Sequence, residues 1–239
     1  MTSLLTDIGL KRSLNEDSAS YYENENYKIY VVADGMGGHN AGEVASEIAS
    51  KKIITYVKSN FLKSDPENIL KDAIKSANTE IFEYSKTAIT LNGMGTTVTA
   101  CLITKDFIHI ANVGDSSCFG IKDGKIRKIT KDHSLVQELV DSGSITEEDA
   151  VNHPKKNIIT RALGTADSVD VDVFPVKQND YDILLLCSDG LTNELSNSEI
   201  LDIIYSEDEY DKITQKLVET AKGKGGRDNI TVLLFKGEM

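Results

Sequence analysis

Four aspartates stand where apolar, strand-like runs meet glycine. Asp34 follows "IYVVA" and precedes Gly35, Asp115 follows "IHIANVG", Asp189 follows "ILLLCS" and precedes Gly190, and Asp228 lies between "GKGGR" and "NITVLLF". Taken singly, each reads as a turn, because Asp bonds its own backbone and Gly tolerates positive φ. Asp123-Gly124 is fully accounted for in that way, as the turn of a hairpin in "SSCFGIKDGKIRKIT". Four together suggest more, since glycine also lets backbone approach a ligand closely. If the strand ends converge, several carboxylates share one small volume, and like charges at short range resist joint ionisation unless cations lie among them. Hard, oxygen-seeking ions, Mg²⁺ or Mn²⁺, suit such a donor set. No His/Cys cluster offers a competing zinc site.

The stretch "IYVVADGMGGHNAGEVASEIA" has the outline of a glycine-rich phosphate loop between strand and helix. It contains no lysine and opens with a carboxylate, and a dinucleotide fingerprint starting at Gly35 would need glycine where Asn40 stands. A loop of this kind suits metals, which in turn hold phosphate.

The elements that must position these residues are strands and helices in uneven alternation. "YKIYVVA" (27–33), 96–104, 107–114, 181–189 and 229–235 read as strands, with the hairpin at 116–130. Helical periodicity covers 41–58 and about 66–86, where Leu70, Ala73, Ile74, Ala77, Ile81 and Tyr84 share one face. Short helical segments are expected near 134–141 and 146–151, then a polar stretch to about 169. Ser196 and Glu199 form a capping box before a helix at 197–206, and another helix covers 208–222. Hairpin-like neighbours and consecutive long helices favour layered α+β packing over a regular parallel sheet.

The chain has 239 residues, 40% of them hydrophobic and 27% charged, enough for a sizeable core in one domain. A net charge of −12 argues against nucleic acid or an anionic membrane as partner. Cys101, Cys118 and Cys187 sit in apolar segments and read as reduced core thiols. The N-terminal "MTSLLTDIGLKRSLNED" has no secretory h-region and no apolar run approaches a membrane span, so a cytoplasmic protein is expected.

Eight segments in order, "GLKRSLNEDS", "VVADGMGGHNAGEVAS", "GMGTTVTACLI", "IANVGDSSCF", "TKDHSLVQELV", "ITRALGT", "LLLCSDGLTN" and "GGRDNITVLL", run nearly end to end from residue 9 to 234. With them the chain resembles the metal-dependent serine/threonine protein phosphatases of the protein phosphatase 2C type, in their compact bacterial form. The resemblance implies a four-layer α-β-β-α sandwich, two central, mainly antiparallel sheets flanked by helices, over a single domain spanning 1–239. It implies two core ions and a weaker third, Mn²⁺ or Mg²⁺. Asp34 (bridging), the Gly35 carbonyl, Asp189 and Asp228 match the core ligands, Glu16 and Asp17 match carboxylates that hold metal-bound water, and Asp115 with Asp189 matches the third site. Arg12 matches the residue that grips the substrate phosphate; the lesser alternative is a surface arginine paired with Glu16 or Asp17.

The implied reaction is hydrolysis of phosphoserine and phosphothreonine in proteins by a metal-bridging water or hydroxide. Two ions sharing a water lower its pKa, so no cysteine or serine nucleophile is required, and a guanidinium fork matches two phosphate oxygens. Implied partners are phosphorylated proteins and a bacterial eukaryotic-like Ser/Thr kinase whose action it opposes, and a monomer is expected. The alternative is a catalytically silent regulatory domain of the same fold; a two-metal nuclease would want a basic groove. One departure concerns the general acid: some relatives carry histidine where Met36 stands, leaving His39 or a metal-bound water as candidates. His133 and His153 read as structural or peripheral and His109 as packing. Segment 142–169 corresponds to a variable flap beside the centre, in which Arg161 either contacts substrate or anchors the flap.

Overall fold

The computed structural model describes residues 1–36, 41–63, 65–151 and 153–239. Strands β1 (Thr2–Asp7), β2 (Asp17–Glu23) and β3 (Tyr27–Met36) precede two long helices, α1 (Gly42–Asn60) and α2 (Pro66–Ser85). Five strands follow, β4 (Gly95–Thr96), β5 (Val98–Thr104), β6 (Ile108–Val113), β7 (Ser117–Lys122) and β8 (Lys125–Lys128), with the crossing between the sheets falling between β6 and β7. Two short helices, α3 (Leu135–Asp141) and α4 (Glu147–Val151), lead into β9 (Asp172–Val176) and β10 (Ile183–Cys187). The chain closes with α5 (Asp189–Thr192), α6 (Asn197–Ile204), α7 (Tyr210–Lys224) and β11 (Ile230–Lys236).

The strands form two antiparallel sheets, ordered β1-β11-β10-β7-β8 and β2-β3-β5-β6-β9, with β4 pairing to β3. Central strands are apolar on both faces because both faces are covered. In β3, Ile29, Val31 and Ala33 pack under α1 and α2, whereas Tyr30 and Val32 enter the space between the sheets. In β11, Ile230, Val232 and Leu234 face α6 and α7, and Leu233 and Phe235 face the other sheet. The period-two alternation of each strand thus feeds three cores, one between the sheets and one under each helical layer. This is the α-β-β-α sandwich that the resemblance implies.

In the helical layer over the second sheet, Ala45, Ala49, Ile53 and Val57 give α1 a narrow, fully buried stripe at four-residue spacing. In α2, Leu70, Ala73, Ile74, Ala77 and Ile81 are buried, while Tyr84 is 46% exposed and off the expected face. Ser196 accepts from the Glu199 backbone and Glu199 reaches back, so the capping box starts α6 as anticipated. Asp123 and Gly124 both adopt positive φ, 50° and 69°, in the β7–β8 turn. The three cysteines are buried and free. Among the described residues no helix is long and apolar enough to cross a membrane.

Tyr30 and Phe235 stack across the sheets with ring centroids 3.6 Å apart and planes 9° from parallel. Phe235→Ala opens a cavity at the centre of the sandwich. The expected cost is about 3–5 kcal/mol, read as a lower urea midpoint with an unchanged slope.

Candidate functional site

At one edge of the sandwich the ends of β3, β6 and β10 and the starts of β2 and β11 converge. A cavity of about 280 Å³ there is lined by Arg12, Glu16, Asp34, Gly35, Asp115, Asp189 and Asp228, together with Met36, Asn157 and Ile159. Four aspartates spread over almost two hundred residues of chain therefore do share one space. Asp17 stands opposite Asp34 in the β2–β3 ladder. His39 lies outside the described residues.

Close backbone approach explains the glycines of the first loop. A Cβ on Gly35 would lie 2.3 Å from the Gly42 carbonyl oxygen and 2.4 Å from that of Glu16, so only glycine lets the end of β3 pass under the start of α1. Ser46 on α1 donates to the same Glu16 carbonyl at 2.6 Å, and the Gly35 N–H donates to it at 3.0 Å. The end of β3 is held from its other side by Thr97, whose hydroxyl accepts from Asp34 N–H at 3.1 Å.

Asp17 is clamped on one oxygen only. Ser188 and Thr231 hydroxyls each donate to Asp17 Oδ2 at 2.7 Å, whereas Asp17 Oδ1 is buried with no partner. Asn229, next to Asp228, accepts from Glu16 N–H at 2.9 Å and donates to the carbonyls of Ile8 and Leu14 at 3.0 Å each. One amide thus ties the loop carrying Arg12 and Glu16 to the loop carrying Asp228. Arg12 Nη2 donates to Asp228 Oδ2 at 2.7 Å and its Nη1 lies 4.0 Å from Glu16. Of the two surface partners considered for Arg12, the structure has Glu16 and not Asp17, and the closer partner is Asp228.

The loop before Asp228 has its own brace. The Glu194 carboxylate, with a side chain 2% exposed, accepts from Arg227 Nε at 2.8 Å and Nη2 at 3.0 Å. Those bonds hold its pKa below the usual glutamate value. Glu194→Ala removes a buried bidentate acceptor and is expected to lower unfolding free energy by about 1–3 kcal/mol in urea titration.

The electrostatics of the cavity are those of crowded, desolvated carboxylates. Burial, and then the charges of Asp17, Asp189, Asp115 and Asp228, push Asp34 well above the carboxylate range. Burial raises Asp17 to about 7 against the pull of its two hydroxyl donors. Burial and the Asp189 charge raise Asp115 to about 8; burial and the Asp228 charge raise Asp189 to about 6, and Asp34 shares a hydrogen bond with it. Glu16 is also raised, by burial first.

These side chains fit divalent cations. Asp17 Oδ1 and Asp115 Oδ1 are buried oxygens without a hydrogen-bond donor, a costly state for an ionised carboxylate and a ready one for a hard cation. Among the described residues no three His, Cys, Asp or Glu side chains stand close enough to hold an ion by themselves. An ion held here would keep much of its water, as Mg²⁺ does in carboxylate sites.

The histidines and the flap divide as follows. His109 stacks on Phe107 with ring centroids 4.7 Å apart, the packing role expected of it. His133 accepts from Gly114 N–H at Nδ1, 3.1 Å, and its Nε2 faces Asp172 at 3.1 Å. Arg161 Nη1 donates to Asp172 at 2.8 Å and to the Asp170 carbonyl at 3.2 Å, which is the anchoring alternative. Segment 142–169 is pinned at its C-terminal part by Leu135 N–H to Ile158 O at 2.9 Å and Leu163 N–H to Thr96 O at 2.8 Å. It reaches the cavity through Asn157 and through Ile159, the first residue of "ITRALGT", neither of which was singled out in the sequence as a site residue.

A two-sheet sandwich with a carboxylate-lined cleft at the sheet edge is the class this geometry defines. The family description for protein phosphatase 2C matches residues 11–234, and the chain belongs to that family. It is 45% identical to the serine/threonine phosphatase stp of Listeria welshimeri, over 97% of this chain and 93% of that protein. It is 39% identical to protein phosphatase PhpP of Streptococcus pneumoniae, over 97% and 95%. The crystal structure of the Mycobacterium tuberculosis serine/threonine phosphatase PstP/Ppp superposes with a TM-score of 0.90 at 35% identity, covering 100% of this chain and 99% of that one.

Proposed function

We propose that this serine/threonine phosphatase of the bacterial 2C type hydrolyses phosphoserine and phosphothreonine in proteins with two Mg²⁺ or Mn²⁺ ions and a weaker third. The observation that carries this reading is the shared cavity of Asp34, Asp115, Asp189 and Asp228, with buried carboxylate oxygens that lack donors. Asp34, the Gly35 carbonyl, Asp189 and Asp228 would hold the core ions, Asp17 and Glu16 would act through water, and Asp115 with Asp189 would hold the third. The ions would supply the charge that lets these carboxylates ionise together, and a water acidified enough to attack phosphorus.

The chain's own residues do the rest. Ser188 and Thr231 fix Asp17, Thr97 and the Gly35–Gly42 contact fix the end of β3, and Asn229 sets Arg12 beside Asp228. Arg12 then stands at the mouth of the cavity, where its fork can leave Asp228 for two oxygens of an incoming phosphate. The same reading makes the chain one phosphatase domain with 142–169 as its flap, working as a monomer in the cytoplasm against a Ser/Thr kinase.

Chelation tests it. EDTA is expected to abolish phosphate release from a phosphothreonine peptide, and Mn²⁺ or Mg²⁺ to restore it. Release that persists in EDTA after dialysis would overturn the metal reading. Asp115→Ala is expected to lose turnover while calorimetry still records the two tighter ions.

A further inference from the structure

A second cavity of about 270 Å³ adjoins the first and shares Asp115, Asn157 and Asp189 with it. The rest of its wall comes from β8 and its sequel (Lys128, Asp132), from the N-cap and first turn of α3, from Ala150 of α4, from Thr192 and Asn193 after β10, and from Lys156 of the flap segment. The two cavities adjoin through Asp115, Asn157 and Asp189, and Lys156, next in sequence to Asn157, lines the second cavity but not the first.

The charges around the second cavity are unequal in availability. Lys128 is committed to Asp132 at 2.7 Å. Asn193 donates to Asp189 at 2.9 Å, and Gln137 donates to Asp141 at 3.0 Å. Lys156 has no salt-bridge partner among the described residues; its charge is felt at Glu194 only at range. Asn157, at the junction of the cavities, makes no side-chain hydrogen bond to a described residue. Once cations balance Asp115 and Asp189, the second cavity carries one lysine without an ion-pair partner and, at its junction with the first, one amide without a hydrogen bond among the described residues.

The geometry points to a subsite for the peptide that flanks the phosphorylated residue, in which Lys156 selects an acidic side chain near the phosphoserine or phosphothreonine. The inference rests on the phosphoprotein reading above and adds to it a sequence preference. A phosphoryl group at the carboxylate cluster can lead its peptide into the second cavity past Asn157, whose amide can pair with the peptide backbone. An acidic side chain carried that way meets Lys156, and a lysine there meets a like charge. Lys156 is only partly buried, so the contact is a screened surface pair and its effect is modest.

The test uses four phosphothreonine peptides that differ only in Asp or Lys placed next to the phosphorylated residue on its N-terminal or C-terminal side. Each rate is taken relative to the same protein's rate on para-nitrophenyl phosphate. The wild-type chain is expected to favour Asp over Lys by about fivefold in kcat/KM on one of the two sides, with the ratio falling as salt rises. Lys156→Ala should bring that ratio close to one, and Lys156→Glu should invert it. The same Asp/Lys ratio in all three proteins would overturn the subsite alone. Hydrolysis of para-nitrophenyl phosphate with none of any phosphopeptide would overturn the phosphoprotein reading and the subsite with it.

Discussion

Asp34→Asn is expected to lower phosphopeptide turnover by more than about a hundredfold and, in the metal-free protein, to raise the melting temperature. The first effect follows from the proposed role: loss of a residue behind a metal ligand costs about ten- to a hundredfold, and loss of a bridging ligand costs more. The second follows from the cavity itself. Asp34 is the carboxylate on which burial and four neighbouring aspartates press, so the metal-free native chain must keep it protonated, a cost that a neutral isostere does not carry. Mn²⁺ should then stabilise the variant far less than the wild type. Full activity, or an undiminished Mn²⁺-induced shift in melting temperature, would remove Asp34 from the centre.

The pH dependence of the metal-free wild type carries the same sign. Asp189, Asp17 and Asp115 hold protons up to about 6, 7 and 8, whereas an unfolded chain releases them near 3.8. Between those limits the native state binds more protons than the unfolded one, so stability falls as pH rises. EDTA-treated protein should melt at a higher temperature at pH 6 than at pH 8, and saturating Mn²⁺ should flatten or reverse that slope. A metal-free protein equally stable at both values would mean that the carboxylates are not in conflict.

How far this was readable in advance depends on which residues carry the signal. The strands buried on both faces, β3, β5, β10 and β11, announce themselves as unbroken apolar runs. Three edge strands do not: β1, β2 and β9 are interrupted by polar residues or proline rather than forming apolar runs, and Pro175 in β9 is tolerable because an edge strand need not donate everywhere. That omission matters for the site, because β2 is what sets Asp17 opposite Asp34. Aspartate beside glycine at strand ends is a local pattern, so Asp34, Asp115, Asp189 and Asp228 could be singled out. Asn229, Ser188 and Thr231 could not, since each acts on a partner 171 to 221 residues away and nothing nearby in sequence marks the contact. Asn157 and Lys156 reach the cleft only because the segment after α4 returns along α3 by the Leu135–Ile158 backbone bond.

Arg12 is where sequence and structure together sharpen a prediction. Its side chain is 44% exposed and bonded to Asp228, a residue proposed to bind metal, so two roles compete for it. As a phosphate clamp it stabilises bound substrate, and Arg12→Ala should raise KM about tenfold or more with kcat reduced less. As a brace for Asp228 it acts on the ions, and the same substitution should weaken Mn²⁺ binding in calorimetry and leave KM near its original value. Arg12→Lys separates the roles further. Lysine restores the positive charge beside Asp228 but not the planar fork, so the brace would be rescued and the clamp only partly. The clamp reading therefore requires an elevated KM in both variants with Mn²⁺ affinity close to that of the wild type. A normal KM in Arg12→Ala would leave the guanidinium with the brace alone and would require another donor for the phosphate.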